Sequence, residues 1–295
     1  MNVFRRRPDT HKGDYGRVLV IGGSVGLTGA PVLCALGALR SGAGLVTVAV
    51  PESIYFIVAA HLVEAMPTPL PEISGGSLSI AAIPRIVALA ARADVVALGS
   101  GLSRQPMTQR CVRQLLPRLT VPVVLDADGL NALVGHTGIV RRMKAPVVIT
   151  PHPGEMARLL WETTESVQAN RLKIARDAAR QWRAVVVLKG HRTVVASPSG
   201  KTSVNTTGNP GMATGGMGDV LTGVIAGLIG QGMAPFEAAV AGVRLHGIAG
   251  DLAAQALGPV GLLARDVVAQ LPAAINRGIF HRKGAIGGKP PGFAR

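Results

Sequence analysis

The stretch Thr206-Thr-Gly-Asn-Pro-Gly-Met-Ala-Thr-Gly-Gly-Met-Gly-Asp219 is rich in glycine and leads directly into the small, apolar segment Val220-Leu-Thr-Gly-Val-Ile-Ala-Gly-Leu-Ile229. Glycine lacks a Cβ atom and readily adopts positive φ, so consecutive N–H groups of such a loop can surround an anion. The apolar segment predicts a tightly packed helix whose positive dipole end faces the loop. The sequence therefore predicts a phosphate-binding loop at a helix N-terminus.

Asp219 lies at the junction between this loop and this helix. A carboxylate beside a transferred phosphoryl group would repel it, unless the carboxylate takes a proton from the hydroxyl that attacks phosphorus. General-base help of that kind is worth roughly 10²–10⁴-fold in rate. Aspartate is also a common helix cap. The residue alone leaves both interpretations open, and the density of glycine before it favours chemistry.

Short β-branched runs, each ended by a turn residue, recur along the chain. Runs that are apolar without alternation are typical of strands buried on both faces, as in a parallel sheet covered by helices. The alternation with helical segments predicts right-handed βαβ units, whose carboxyl-end loops should converge on a ligand. Strands are predicted at 18–21, 45–50, 95–98, 121–125, 147–149 and 184–188, with antiparallel edge strands at 193–196 and 202–204. Helices are predicted at 29–41, 80–93, 106–118, 129–135, 153–160 and 166–182, and from 220 to about 276.

The composition favours one large α/β domain, since 295 residues with 48% hydrophobic content can bury a large core. The formal charge of +15 would normally suggest nucleic acid as a partner. Here the basic residues are scattered or terminal, without interleaved aromatic residues, so we expect a solvated basic surface and no nucleic-acid binding. Cys34 and Cys111 form no metal or disulfide pattern, which fits a cytoplasmic location.

The sequence predicts neither a signal peptide nor a membrane span. Residues 1–14 lack an apolar segment, and the longest apolar stretches are interrupted by Arg40 and Gln231. Two familiar phosphate motifs also fail. The segment Gly22-Gly-Ser-Val-Gly26 lacks the G-x-G-x-x-G spacing, and Gly200-Lys-Thr202 lacks the earlier glycine of a Walker A loop. The phosphate site is therefore assigned to the glycine loop before Asp219.

Seven motifs occur along the chain in the following order: Lys12-Gly-Asp-Tyr-Gly16, Gly22-Gly-Ser-Val-Gly-Leu-Thr-Gly-Ala-Pro31, Arg40-Ser-Gly-Ala-Gly-Leu-Val-Thr47, Asp126-Ala-Asp-Gly-Leu-Asn131, Thr150-Pro-His-Pro-Gly-Glu155, Lys189-Gly190 and the stretch from Thr206 to Asp219. Together they resemble the ADP/ATP-dependent NAD(P)H-hydrate dehydratases of the ribokinase-like superfamily. The resemblance covers about residues 10–275. It implies a ribokinase-like three-layer α/β/α sandwich with a mostly parallel central sheet, in a single domain at 11–278. A basic N-terminal extension (1–10) and a flexible basic tail (279–295) would flank it.

The resemblance implies a lyase that restores NADH and NADPH from their hydrates. The hydrate carries a hydroxyl on the reduced nicotinamide ring, and hydroxide is a poor leaving group. Phosphorylation of that oxygen makes it a good one: Asp219 would take the proton, the terminal phosphoryl of ADP would transfer, and phosphate would leave, with AMP as the other product. ATP is an alternative donor, and Mg²⁺ is the implied metal. N–H groups of Gly215-Gly-Met-Gly218 would stabilise the charge that develops on the transferred group.

The resemblance also implies individual site residues. His152, held between two prolines, and Asp219 itself are among the positions expected to bind the hydrate. Glu155 resembles the acidic position that organises Mg²⁺ through water, although a first-turn acid favoured by the helix dipole explains it equally. Asp126 and Asp128 could face the magnesium or brace their loop through Asn131. The implied hydrate-binding residues are Ala43, Gly101, His152 and Asp219. The implied nucleotide-binding residues are Lys189, Gly190, His191, Arg192, Thr193, Asn209, Pro210, Gly211, Met212, Ala213, Thr214, Gly215, Gly216, Met217 and Gly218.

Three positions depart from the family pattern: Ser100 stands where proline is common, Ser103 where glycine is common, and Met217 where threonine is usual. None removes a proposed catalytic group. The resemblance further implies a homotetramer and a separate epimerase as pathway partner. Two rival functions stay open. A ribokinase-like kinase of a vitamin precursor, of hydroxymethylpyrimidine or hydroxyethylthiazole type, would release a stable phosphorylated product, and a non-catalytic nucleotide-binding protein would have no turnover.

Overall fold

The computed structural model describes residues 6–280, with side chains to Arg277. Its centre is a nine-stranded sheet in the order β11-β10-β9-β8-β7-β6-β1-β2-β3, and β4 and β5 pair separately. All neighbours in the large sheet are parallel except β9–β10 and β10–β11, which are antiparallel. The strands are β1 (Arg17–Ile21), β2 (Leu45–Pro51), β3 (Met66–Leu70), β4 (Glu72–Ile73), β5 (Ser77–Leu78), β6 (Val95–Leu98), β7 (Val123–Leu125), β8 (Val147–Ile149), β9 (Val185–Leu188), β10 (Val194–Ala196) and β11 (Thr202–Val204).

Helices cover both faces of the sheet. They are α1 (Gly29–Arg40), α2 (Tyr55–Ala60), α3 (Ile83–Ala90), α4 (Pro106–Leu115), α5 (Ala127–Asn131), α6 (Gly138–Arg141), α7 (Pro153–Leu160), α8 (Thr164–Ala169), α9 (Arg171–Trp182), α10 (Met217–Gly230), α11 (Pro235–Leu257) and α12 (Ala264–Phe280). Short 3₁₀ helices occur at Lys12–Tyr15, Glu52–Ile54, Ile80–Ala82, Leu116–Arg118 and Pro210–Met212. The predicted α/β/α sandwich with a mostly parallel sheet is confirmed.

The core consists of two apolar clusters, one on each face of the sheet. Successive side chains of a strand point to opposite faces. In β1, Val18 and Val20 therefore belong to the cluster that α1, α10, α11 and α12 cover, whereas Leu19 and Ile21 belong to the cluster that α3, α4, α7 and α9 cover. Both sets are at most 2% exposed. The central strands are buried on both faces, which explains why their sequences show no polar alternation.

Helices α1 and α10 pack backbone against backbone. An added Cβ at Gly37 of α1 would collide with the carbonyl oxygen of Val220, and one at Gly223 of α10 would collide with the carbonyl oxygen of Cys34. Gly227 lies equally close to Ser41. Glycine at these three positions therefore allows a separation that any larger residue would prevent.

The chain reverses its direction of progress across the sheet between β1 and β6. From β1 it continues to β2 and β3 on one side, and from β6 to β9 on the other. Ligands of open α/β sheets bind outside the carboxyl ends of the strands at such a point. The loops after β1 and β6 flank this crevice, and the N–H of Gly23 donates to the carbonyl oxygen of Ser100 across it (2.8 Å).

Some predicted elements differ from the observed ones. The helix predicted at 166–182 is two helices that meet at Asn170, and the one predicted at 129–135 spans Ala127–Asn131. Strand β3 was not predicted, because it contains two prolines. Prolines are tolerated there because β3 is an edge strand of the sheet. Helix α12 continues past the boundary predicted at 278. Residues 1–5 of the predicted extension and 281–295 of the predicted tail lie outside the described residues.

Within residues 6–280, none of the helices combines the length and the apolar character that a bilayer span needs.

Candidate active site

The candidate site lies at the carboxyl edge of the sheet, where α10 begins. The helix begins at Met217, with Gly216 as N-cap at φ 87°, so Gly218 and Asp219 belong to its first turn. The sequence had placed the start at Val220, after the aspartate. The N-terminal dipole end of α10 faces the glycine loop, as predicted. Asp219 is thereby fixed to a helix that packs directly on the sheet.

Asp219 is the third residue of this helix, its N-cap is Gly216, and no capping hydrogen bond to the Asp219 carboxylate is found among the described residues. Burial raises the pKa of Asp219 from its ordinary value of 3.8 to about 6, and the nearby carboxylate of Asp126 adds to the increase. The hydroxyl of Ser100 and the ammonium of Lys189 act in the opposite direction. A carboxylate with a pKa near 6 is a stronger base than an exposed aspartate, and it is still ionised at neutral pH.

Lys189 follows β9 and joins two carboxylates at the centre of the site. Its Nζ donates to Oδ1 of Asp126 at 2.6 Å and lies 3.8 Å from Oε2 of Glu155. Burial by itself would lower the pKa of Lys189, but the two carboxylates outweigh burial and raise it. The lysine is therefore a permanent positive charge. A Cβ added at Gly218 would lie 3.2 Å from this Nζ, which places the ammonium against the first turn of α10.

Asp126 follows β7 and is 1% exposed. Besides Lys189, it accepts a hydrogen bond from Oγ1 of Thr222 at 2.8 Å. Thr222 comes one turn after Asp219 on α10, so Asp126 connects the lysine to the helix that carries the candidate base. Thr222 belongs to none of the sequence motifs, although the spacing i, i+3 places it on the same helix face as Asp219.

Asp128 braces its own loop. It accepts hydrogen bonds from the N–H of Ser103 (2.9 Å) and from Nδ2 of Asn131 (3.0 Å), and Arg104 lies 3.9 Å away. Asn131 in turn accepts from the guanidinium of Arg158. Of the two interpretations that the sequence left open for Asp128, the structure favours the bracing one.

His152 and Glu155 form a reciprocal cap on α7. Nδ1 of His152 accepts from the N–H groups of Gly154 and Glu155, and Oε2 of Glu155 accepts from the N–H of His152 at 2.8 Å. Burial lowers the pKa of His152, an effect that the carboxylate of Glu155 partly offsets. The imidazole is half exposed at the mouth of the site. Glu155 thus has a structural task beside its contact with Lys189.

The two predicted nucleotide-binding segments meet at this edge. In the turn Lys189–Thr193, the hydroxyl of Thr193 donates to the carbonyl oxygen of Gly190 (2.9 Å), and Arg171 donates to the carbonyl oxygens of Leu188 and Lys189. In the glycine loop, Ala213, Thr214 and Gly215 are exposed, and a Cβ at Gly215 would meet no atom of the described residues within 4 Å. The N–H of Ala213 already donates to the carbonyl oxygen of Pro210 at 3.1 Å, so the exposed backbone of Thr214 and Gly215 is the part of this loop that is open to an anion.

Met217, Ser100 and His246 line the inner side of the site. Met217 is 6% exposed and packs into the core, so this departure from the family pattern does not face the loop's open side. The hydroxyl of Ser100 lies near the carboxylate of Asp219, and the imidazole of His246 lies near the backbone of Met217. Oγ of Ser100 and Nε2 of His246 are buried, and neither makes a hydrogen bond of good geometry in the described part of the chain. Burial lowers the pKa of His246 to about 4, so this histidine is neutral. His246 has no motif of its own in the sequence, and it comes near Met217, at the start of α10, only when α11 packs on that helix.

The four implied hydrate-binding residues are not brought together. Gly101 (φ 69°), His152 and Asp219 lie at the carboxyl edge. Ala43 precedes β2, and the segment before a parallel strand lies at the opposite, amino edge. There the neighbouring Ser41 accepts from Gln231, which follows the C-terminus of α10. The length of this 14-residue helix, roughly 20 Å, separates Ala43 from Asp219. The geometry gives Ala43 no part in this pocket.

Magnesium has no ready-made cage here. Among the described residues, no three His, Cys, Asp or Glu side chains come together as a metal site. This fits Mg²⁺, which usually keeps several waters and takes one or two carboxylates plus substrate phosphates. Asp126 and Glu155, which both lie close to the ammonium of Lys189, are two carboxylates at this edge of the sheet.

Comparison with known proteins gives consistent matches over nearly the whole chain. The family model described as NAD(P)H-hydrate dehydratase matches residues 18–273. The chain is 53% identical over 268 residues to the bifunctional NAD(P)H-hydrate repair enzyme Nnr of Moorella thermoacetica, covering 91% of this chain and 51% of that protein. It is 40% identical over 274 residues to the ADP-dependent (S)-NAD(P)H-hydrate dehydratase of Neisseria meningitidis, covering 90% and 87%.

Among solved structures, the ADP/ATP-dependent NAD(P)H-hydrate dehydratase of Bacillus subtilis, co-crystallised with ATP and Mg²⁺, is similar with a TM-score of 0.78 and 32% identity. The match covers 92% of this chain and 93% of that one. The chain spans about half the length of the bifunctional relatives that it matches.

Proposed function

The chain belongs to the NAD(P)H-hydrate dehydratase family, and from this premise we propose that it restores NADH and NADPH from their (6S)-hydrates at the expense of a nucleoside diphosphate. The observation that carries the proposal is the position of Asp219. Its carboxylate, with a pKa raised to about 6, belongs to the first turn of α10, directly after the glycine loop and close enough to the ammonium of Lys189 to feel its charge. A base, a fixed positive charge and an anion-binding loop are the parts that phosphoryl transfer to an alcohol requires.

The reaction proceeds in two steps. In the first step, Asp219 takes the proton of the hydrate hydroxyl, and the oxygen of that hydroxyl forms a bond to the terminal phosphorus of ADP. The bond between that phosphorus and the AMP oxygen breaks at the same time. The C–O bond then breaks with its electron pair, phosphate leaves, and loss of a proton from the neighbouring ring carbon restores the double bond. The sum is hydrate plus ADP giving NAD(P)H, AMP, phosphate and a proton.

The other residues hold and neutralise the reactants. N–H groups of Gly215-Gly-Met-Gly218 stabilise the charge on the transferred group, and a lost donor of this kind costs about 3–4 kcal/mol in the transition state. Lys189, oriented by Asp126, faces the same group. The exposed side of His152 and the backbone at Gly101 form two sides of the pocket for the hydrate. The hydrate enters between the loops after β1 and β6. The assignments of Asn209 to Met212 and of His191 to Thr193 to the nucleotide remain part of this proposal.

Mg²⁺ would shield the negative charge of the nucleotide phosphates. Glu155 would hold it through water, because one of its oxygens already accepts from the N–H of His152. Asp126, which also forms an ion pair with Lys189, would be the second carboxylate near the metal. The tetrameric state, the cytoplasmic location and a separate epimerase as partner stay predictions.

The test supplies NADH hydrate and Mg²⁺ with ADP, with ATP, or with no nucleotide, and follows the near-ultraviolet absorbance of the reduced nicotinamide. We expect recovery that depends on the nucleotide, with one AMP and one phosphate formed per NADH when ADP is the donor. The absence of recovery with either donor would remove the proposal. A stable phosphorylated product would indicate a kinase instead, and nucleotide binding without any product would indicate a binding protein.

A further inference from the structure

Helix α11 contacts the glycine loop along one face. Oγ1 of Thr207 donates to the carbonyl oxygen of Arg244 at 3.1 Å. An added Cβ at Gly247 would collide with Thr207, and one at Gly250 would collide with Met212. Positions 244, 247 and 250 repeat at i, i+3, i+6, which places them on one side of a helix. The loop before the phosphate site therefore lies directly on this face of α11.

Asp251 is the polar contact at the end of this face. Its Oδ2 accepts from the N–H of Gly208 at 2.9 Å, and its Oδ1 accepts from Nδ2 of Asn209 at 3.1 Å. Both carboxylate oxygens are thus used on two consecutive residues of the loop. Gly208 has φ 101°, a conformation that side-chain-bearing residues rarely adopt, so the chain turns sharply where the carboxylate holds it.

The contact is passed on toward the phosphate site through Asn209. The amide of Asn209 is held at both ends, because Oδ1 accepts from the N–H of Gly211 at 3.0 Å while Nδ2 donates to Asp251. The first of these bonds caps the 3₁₀ helix Pro210–Met212, which leads directly into the exposed residues Ala213 to Gly215. The orientation of the Asn209 amide fixes the path of the chain into the anion-binding N–H groups.

We propose that Asp251 is a positioning residue for nucleotide binding, which holds the glycine loop in its phosphate-binding path by fixing Gly208 and Asn209. This inference rests on the proposed function in so far as the anion is a nucleoside diphosphate. It adds a residue 32 positions beyond Asp219, outside the glycine loop and outside the turn at Lys189. Asp251 does not touch the reacting atoms, and its effect is on the affinity for the nucleotide.

The geometry predicts how two substitutions differ. Asp251→Ala removes both acceptors. Asp251→Asn keeps one carbonyl oxygen, but it turns an NH₂ group toward a donor, either the N–H of Gly208 or Nδ2 of Asn209, so one bond is replaced by a repulsive contact. We expect both variants to weaken nucleotide binding about tenfold or more, since hydrogen bonds to charged groups are the stronger ones.

The experiment measures ADP and ATP binding by calorimetry for the wild type, Asp251→Ala, Asp251→Asn and the control Glu237→Ala. Glu237 is an exposed acid in the first turn of the same helix, 14 residues before Asp251 and roughly 20 Å away along the axis. The control loses the same charge without touching the loop. The nicotinamide recovery assay on the same four proteins gives KM and kcat. In both Asp251 variants we expect weaker binding and a higher KM for the nucleotide, with kcat within about threefold of the wild type. The control should change in none of these quantities.

Amide hydrogen exchange separates this inference from the proposed function. In the nucleotide-free protein, exchange at Gly208 to Gly211 should become at least tenfold faster in Asp251→Ala and stay unchanged in Glu237→Ala. Unchanged exchange and unchanged ADP affinity in Asp251→Ala would overturn the inference, whatever the enzyme does. If the wild type bound neither ADP nor ATP, the proposed function would fail, and the positioning of the nucleotide would fail with it, while faster exchange would still show the loop contact.

Discussion

Replacing Asp219 by asparagine should abolish turnover and stabilise the fold at the same time. A carboxyl group whose pKa is raised from 3.8 to about 6 on folding binds its proton more tightly in the folded state. The folded state is therefore penalised once the group is ionised. The penalty grows as the pH rises from about 4 to about 6 and is complete above that range. Asparagine, which has almost the same shape and no charge, removes it.

The expected size follows from the two pKa values. A difference of about two pH units corresponds to about 3 kcal/mol, the gain in unfolding free energy that we expect for Asp219→Asn at pH 8. At pH 5, where the wild-type carboxylate is largely protonated, the gain should fall to about half. The rate should fall by at least about 10²-fold, because the general base is lost. In the wild type, kcat/KM should itself decline below about pH 6, as Asp219 takes up a proton.

The measurement is urea unfolding at pH 5 and pH 8, followed by tryptophan fluorescence, to which the buried Trp182 contributes, beside the nicotinamide recovery assay. Glu237→Gln serves as the matched control, since an exposed acid should change the stability by less than about 0.5 kcal/mol at either pH. An Asp219→Asn protein that is less stable than the wild type at pH 8 would refute the burial argument. One that keeps full turnover would show that the base lies elsewhere.

Two further predictions concern the groups around this carboxylate. Lys189→Ala should weaken ADP binding about 10- to 100-fold, because a charged donor is lost, while Lys201→Ala, in the exposed hairpin, should leave it unchanged; equal affinities in calorimetry would contradict the assignment. Gly216→Ala should lower the unfolding free energy by about 1–2 kcal/mol, since φ is 87° and the methyl would press on Leu33. Gly215→Ala, at an open position, should keep its stability in urea unfolding, so that any loss of ADP affinity there reports on the loop's N–H groups.

The sequence predicted the layer architecture because burial on both faces leaves a local trace. Runs such as Val95–Leu98 and Val185–Leu188 are apolar at every position. They are followed by Gly99 and Lys189, at the carboxyl edge where the site lies. The start of α10 was placed three residues late, because two glycines within three residues argue against a helix on propensity alone. The observed start is fixed by packing of Met217 and by the left-handed N-cap at Gly216.

The partners within the site could not be predicted from local patterns. Asp126 and Lys189 are 63 residues apart, and their contact depends on the order β9-β8-β7, which no single motif contains. The same limit explains Ala43. A sequence resemblance matches residues one by one and carries no information about where they lie in the fold. The segment around Ala43 precedes its strand and therefore lies at the amino edge of the sheet, whereas the site lies at the carboxyl edge. Asp251 was missed because an exposed acid in a long helix looks like any solvated residue until its contacts are known.

The glycine contacts between α1 and α10 restrict how far the helix that carries Asp219 can move. With main chain against main chain, the helix that presents Asp219 has no compliant layer of side chains on which to slide or tilt. The carboxylate is consequently preorganised, and little reorganisation energy is spent on aligning it during the reaction. Adaptation to a bulkier or differently shaped alcohol must then come from the loops that surround the crevice, with the helix as their immobile reference.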